Sequence, residues 1–170
     1  MNRLFRLTYI LLLMLFVVPG ITGPVGLSKK LLSSIEDRTP GYYDTNVRHA
    51  FKQGNWEAGK RLLDEGLKNY PTISSLNELA GQYYFHKRAY DDARYYLIIS
   101  LRDNNQNVEA KQLLVDVEEI THNYSSAICY VNELLEVHPY WKGLWRRKIS
   151  LYRKQKNDVE ADRLLQRLCQ

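Results

Sequence analysis

Small residues recur along the chain at a fixed interval. Gly59, Ala93, Ala127 and Ala161 each stand 34 positions from the next. Larger apolar residues keep the same step. Leu63, Leu97, Val131 and Leu165 form one column, and Trp56, Tyr90 and Tyr124 form another. Pro71 and Pro139 lie two steps apart, with Asn105 between them. An interval of this length accommodates one helix–turn–helix pair per repeat. The pattern therefore predicts four pairs, each with a helix A and a helix B. The first runs from about Tyr42 to Gln53, turns at Gly54-Asn55 and continues from Trp56 to Tyr70. The second spans Ser74–Asp103 with a turn near Arg88. The third spans Val108–Val137 with a turn at His122-Asn123. The fourth starts near Trp141, turns at Lys156-Asn157 and reaches Gln170. Prolines 71 and 139 stop helix B.

The columns carry packing expectations. Gly81 is expected to face Ala93 where helices A and B cross, since a large side chain would push them apart. Tyr84 and Tyr152 should fill the gap between helix A and helix B. Gly66 and Ser100 should stay small where the next repeat's helix A docks. Leu63 and Leu97 belong to the shared core. A single pair cannot bury its apolar face alone, so the repeats must stack.

Ahead of the repeats the pattern changes. Arg3 and Arg6 precede an apolar run, Leu7 to Val18, which Pro19, Gly20 and Gly23 end. A charged start, a short apolar run and a small-residue exit describe a secretory signal. The run is shorter than the roughly 20 residues that span a bilayer. Residues 1–23 are thus expected to be a cleaved signal peptide or an uncleaved anchor, which places the chain in the periplasm or at the envelope. Residues 24–40 read as a linker with a short amphipathic helix (Leu27, Leu31, Leu32, Ile35, with Ser28 as N-cap) covering the open end of the first repeat. Residues 41–170 hold the repeats, at about 41–73, 74–107, 108–141 and 142–170.

Composition adds little to this picture. The 170 residues are 45% hydrophobic and 25% charged, as in a folded protein, with 13 tyrosines. The net charge is +5, to which Arg3 and Arg6 contribute, so the repeat region is only mildly basic. Its basic residues concentrate on one helix beside an acidic one, which argues against nucleic acid. Cys129 and Cys169 read as small buried hydrophobes in preference to a disulfide. His49, His86, His122 and His138 lack metal-ligand spacing, and no phosphate loop, nucleophile elbow or carboxylate pair is present. Asp91-Asp92 opens a helix, where acids favour the dipole. No cofactor is implied, and the reading is non-enzymatic.

The segment Ala50-Phe51-Lys52-Gln53-Gly54-Asn55-Trp56-Glu57-Ala58-Gly59 resembles the turn region of the tetratricopeptide repeat family. So do Leu79-Ala80-Gly81-Gln82-Tyr83-Tyr84 and Tyr90-Asp91-Asp92-Ala93. The resemblance covers about Tyr42 to Gln170. It implies an all-α, right-handed α-solenoid of about four repeats. Departures are Val47 and Val115 in place of a small helix A residue, Glu118 in place of an aromatic, and Asn105 in place of a proline. The third repeat is accordingly expected to be the least regular.

In the family, helix A lines a concave groove that receives a peptide. By phase, the groove candidates here are Arg48, Gln82, Phe85, His86, Asp116, Arg146, Arg147 and Ser150. The third helix A carries Glu109, Asp116, Glu118 and Glu119, and the fourth carries Lys142, Arg146, Arg147, Lys148, Arg153 and Lys154. Two readings stay open: these charges pair between neighbouring helices, or Arg146 and Arg147 are offered to an acidic peptide. The chaperone-binding clamp of the family is not reproduced at Asp44, Arg48 and Leu79. Helix B of the fourth repeat ends at Leu168-Cys169-Gln170 without a polar capping helix, and Cys169 shares a column with Leu67, Leu101 and Leu135. That edge is expected to meet further repeats, a partner or a second copy. The sequence thus points to an exported scaffold for a protein or peptide partner, probing no membrane except through its N-terminal segment. The alternatives are the N-terminal part of a longer protein and a structural homo-oligomer.

Overall fold

The computed structural model describes residues 38–168. The expected signal segment, the short amphipathic helix at 24–37 and Cys169 lie outside the described residues. Eight helices follow in order: α1 (Pro40–Lys52), α2 (Trp56–Asn69), α3 (Ser74–His86), α4 (Tyr90–Asp103), α5 (Val108–Ile120), α6 (Tyr124–Val137), α7 (Lys142–Lys154) and α8 (Asp158–Leu168). No strand occurs among the described residues. The starts of α1, α3, α5 and α7 repeat at the 34-residue step, as do those of α2, α4, α6 and α8. The odd-numbered helices are the A helices. Thr39-Pro40-Gly41 opens α1, with Thr39 Oγ1 accepting from Tyr42 N and Pro40 in the first turn, where its missing N–H costs nothing.

Every A–B turn closes the same way. Gly54, Arg88, His122 and Lys156 all have positive φ, between 59° and 74°. The next residue's N–H reaches back to the last turn of helix A, as in Asn55 N to Ala50 O at 2.9 Å and Asn123 N to Glu118 O at 2.7 Å. The left-handed position suits glycine, yet three of the four are occupied by longer side chains. Periodic closure, rather than residue type, sets this conformation.

Each A–B pair packs tightly, and each B helix also meets the following A helix. Leu63, Leu97 and Val131 are fully buried, as the column predicted. Leu165 is different: it is 42% exposed, because no further helix pair covers it among the described residues. The atoms nearest to Gly81 belong to Leu97: an added Cβ there would lie 2.5 Å from Leu97 Cδ2 and Cγ. Those nearest to Gly66 belong to Tyr43 of its own repeat. Tyr84 does fill the gap to helix B, stacking on Tyr96 with centroids 5.2 Å apart. Cys129 is exposed on α6 rather than buried, with Sγ 4.0 Å from Glu133 Oε1.

The missing proline at Asn105 is offset locally. Asn104 Oδ1 accepts from Gln106 N, and Asn107 caps α5 by accepting from Ala110 N at 2.9 Å. Asn107 Nδ2 also donates to Ser74 Oγ and Ser100 Oγ, at 3.1 and 3.2 Å. These three buried side chains tie repeats 2 and 3 together. Ser100 therefore stays small for hydrogen bonding as well as for close packing.

Arg38–Gln170 forms a compact unit of its own. Its core clusters draw on residues 43–164, so the unit buries an apolar core of its own, as an independently folding domain does.

Candidate functional site

Helix A of one repeat touches helix A of the next: α1 meets α3, and α3 meets α5. The B helices show no comparable contact with each other among the described residues. Stacking that is close on one side and splayed on the other makes the A side concave. Two open cavities lie along it. One, of about 470 Å³, includes Trp56, Gln82, Phe85, His86, Leu113 and Ile120 in its lining. The other, of about 430 Å³, includes Phe85, Asp116, Glu119, Ile120, Arg147 and Lys154. Phe85 and Ile120 border both, so the two form one trough with an apolar floor.

Ion pairs close the trough on either side. Toward the N-terminus, Arg48 donates to Asp44 at 3.1 Å and to both oxygens of Glu78 at 3.0 and 3.3 Å. Gln82 Nε2 adds a bond to Glu78 Oε1 at 2.6 Å. Glu78 is 96% shielded on this basis, with only 4% of its side chain exposed. Burial alone would weaken the Arg48 charge, but the bonds to Glu78 and Asp44 outweigh it and raise its pKa. Toward the C-terminus, Arg147 bridges Asp116 at 2.5 Å and Glu119 at 2.6 Å, and Lys154 reaches Glu119 at 2.5 Å. Burial works to raise the Glu119 carboxyl, but its bonds to Lys154 and Arg147 prevail and hold it below the usual range. Arg147 is likewise raised, with its bonds to Glu119 and Asp116 overcoming burial.

The structure therefore sorts the expected groove residues. Gln82, Phe85, His86, Asp116 and Arg147 line the trough. His86 is stacked flat on Trp56, with centroids 3.9 Å apart. Arg48 joins repeats 1 and 2 by its ion pairs instead of standing open. Arg147 is paired with Asp116 and Glu119 of the preceding repeat. Arg146 and Ser150 are exposed but line neither cavity. Glu118 leaves the groove altogether. It is 4% exposed and accepts from Arg94 Nε at 2.6 Å and Asn123 Nδ2 at 2.9 Å, between repeats 2 and 3. This explains why an acid occupies an aromatic's place: Arg94 supplies the counter-charge from α4.

Ile120 is central among the lining residues that phase reasoning missed, which include Arg88, Leu113, Glu119 and Lys154. It is 43% exposed and central to the trough. Its column reads Lys52, His86, Ile120 and Lys154, so an aliphatic member among charged ones was the available signal.

The stacked helix pairs, their 34-residue step and the concave A face decide the architecture. The fold is of the tetratricopeptide-repeat type. A crystal structure of MamA protein superposes with a TM-score of 0.70 at 13% identity, covering 81% of this chain and 75% of that one. A tetratricopeptide repeat protein from Parabacteroides merdae gives 0.61 at 17% identity, covering 84% and 56%. A chain of the Naa15/Naa10 complex bound to HypK-THB gives 0.63 at 14% identity, covering 82% of this chain and 21% of that one. No protein-family model matches the sequence, and no curated protein matches it significantly. Identities this low establish the tetratricopeptide-repeat architecture alone. No helix among the described residues is long and apolar enough to cross a membrane.

Proposed function

We propose that this chain is an exported, non-enzymatic scaffold that holds a segment of a partner protein along its A face. One observation carries the reading: the trough over Phe85 and Ile120 stays open with an apolar floor while Asp116, Glu119, Arg147 and Lys154 beside it are paired within the protein, leaving Arg88 as an exposed charge on its border. Such a site suits an apolar side chain of the partner on the floor, with Gln82 and His122 at its borders for polar contacts. Binding would then depend on apolar fit more than on charge. The run Leu7–Val18 behind Arg3 and Arg6 supports a setting in envelope assembly or secretion.

Photocrosslinking in native envelope extract tests this. A crosslinker at position 82, on the border of the trough, should capture a defined partner, and one at exposed Tyr95 on α4 should not. Ile120→Glu, at a half-open site that tolerates charge, should remove the capture. Identical capture by the parent and Ile120→Glu would sink the groove reading. A second reading rests on Leu165, which is exposed where its column mates are buried. It has another helix pair, in this chain or a second copy, covering that face. Light scattering over rising concentration tests the second copy, which a persistent monomer would eliminate.

A further inference from the structure

The connector between α6 and α7 differs from the other two connectors. Its repeat-equivalent positions hold Val137, Tyr140 and Trp141, against Asn69, Thr72 and Ile73, and against Asp103, Gln106 and Asn107. Here the large side chains face outward. Tyr140 is 94% exposed, Val137 59% and Trp141 41%. The backbone beneath them is held in place: Trp145 Nε1 donates to Pro139 O at 2.7 Å, and Trp141 N donates to His138 O at 3.1 Å. His138 meets the Trp141 ring edge-on, with centroids 5.8 Å apart. The result is a fixed apolar projection rather than a loose loop.

The adjoining charge is one-sided. From Val137 to Asn157 the chain has seven lysines and arginines and no acid. Arg147 and Lys154 are neutralised by Asp116 and Glu119, and Arg153 approaches Asp162 at 3.8 Å. Lys142 and Arg146, one helical turn apart beside the projection, are exposed and have no ion-pair partner among the described residues. Glu136, at the end of α6, is the acid nearest in sequence.

We infer that this connector is a lipid-contact tip, in which Val137, Tyr140 and Trp141 enter the interfacial layer of a bilayer and Lys142 and Arg146 meet its anionic headgroups. Tyrosine and tryptophan suit that layer because each has an apolar body and a polar end. Residues Val137 to Trp141 border an open recess of about 330 Å³, and Trp141 also borders one of about 310 Å³ beside Leu144, so flexible acyl chains can fill the relief between the projecting rings. The floor of the trough, at Phe85 and Ile120, lies at the C-terminal ends of its A helices, and the tip precedes the N-terminus of α7, a helix of 13 residues spanning roughly 20 Å; the recess beside Trp141 meets the trough's border at Asp116 and Arg147. Both surfaces could therefore be occupied together.

Flotation of residues 38–170 with vesicles tests the inference without the apolar N-terminal run. Vesicles of phosphatidylcholine with phosphatidylserine should carry the protein, and phosphatidylcholine alone should not. Lys142→Ser with Arg146→Ser should lower partitioning about twentyfold or more, at about fivefold per basic side chain near an anionic surface. Tyr140→Ser, at a position too exposed to disturb the core, should lower it as well, and Trp141→Ser further. Circular dichroism melts would show that each variant keeps its fold. Phe85→Glu should leave flotation unchanged, which separates this inference from the groove reading. Absence of flotation would overturn it. So would binding that depends on the charges but ignores Tyr140 and Trp141, which is mere adsorption. Equal binding to soluble polyglutamate, weakened equally by the tip variants, would assign the surface to an acidic protein instead.

Discussion

Replacing Gly81 by alanine tests the packing argument most directly. A methyl group on an interior helix residue normally stabilises by about 1 kcal/mol, because glycine has the greater backbone freedom to lose. At Gly81 the added Cβ would lie 2.5 Å from both Cγ and Cδ2 of Leu97. Ordinary contact between carbons needs about 3.5–4 Å, so Leu97 must retreat by roughly 1 Å. It has nowhere to go, since it is fully buried between α3, α4 and the next repeat. Overpacking of this kind costs about 1–3 kcal/mol. With two atoms inside the closest normal approach, we take the upper half of that range and expect a net loss of about 1–2 kcal/mol. For a domain of this size the melting temperature should fall by roughly 3–10 °C. Thermal melts of the parent, Gly81→Ala, Leu97→Ala and the double variant measure it. Leu97→Ala removes Cγ and both Cδ atoms, so the double variant should be less destabilised than the sum of the singles, with a coupling of about 1 kcal/mol. A higher melting temperature for Gly81→Ala, or strict additivity, would refute the reasoning.

Other consequences are accessible with the same melts. Glu118→Ala should cost about 1–3 kcal/mol, because Arg94 and Asn123 lose their buried acceptor while Arg94 keeps Asp91; Glu118→Leu with Arg94→Leu should recover much of the loss. Lys156→Gly and His122→Gly should each stabilise by about 0.5–1 kcal/mol, since both positions have positive φ that glycine adopts freely, and an unchanged or lower melting temperature would count against turn strain. The depressed Glu119 carboxyl gives a pH signature with a defined sign. Its stabilising contribution is complete above the ordinary carboxylate value of about 4.3 and is lost as pH falls through its lower folded value. Glu119→Gln should therefore flatten the acid limb of a stability–pH profile below about pH 4.3 and leave no comparable change between pH 6 and 8, roughly the carboxylate plateau.

Much of the architecture was legible in the sequence because repeated stacking imposes repeated volume. Ala93, Ala127 and Ala161 are fully buried at the crossings, and the helix starts recur at the step that those residues announce. The turns were legible as places, at Gly54, Arg88, His122 and Lys156, but their shared left-handed backbone was not, since arginine, histidine and lysine carry no signal for it. Part of the groove was also legible: Gln82, Phe85, His86, Asp116 and Arg147 follow from phase around a helix of known orientation.

The sequence by itself determined the repeat step, the helix pairs and the buried face of columns such as Leu63, Leu97 and Val131, because those depend on periodicities within one repeat. Only the tertiary structure decided which charges remain available. Arg48 meets Glu78 across 30 positions, Arg94 meets Glu118 across 24, and Arg147 meets Glu119 across 28. None of these separations equals the repeat step, so no column reveals them. They depend on how far long side chains reach between stacked helices, and that reach turned Arg48 and Arg147 from open groove residues into ties between repeats. Ile120 stays exposed beside the paired Asp116, Glu119 and Arg147.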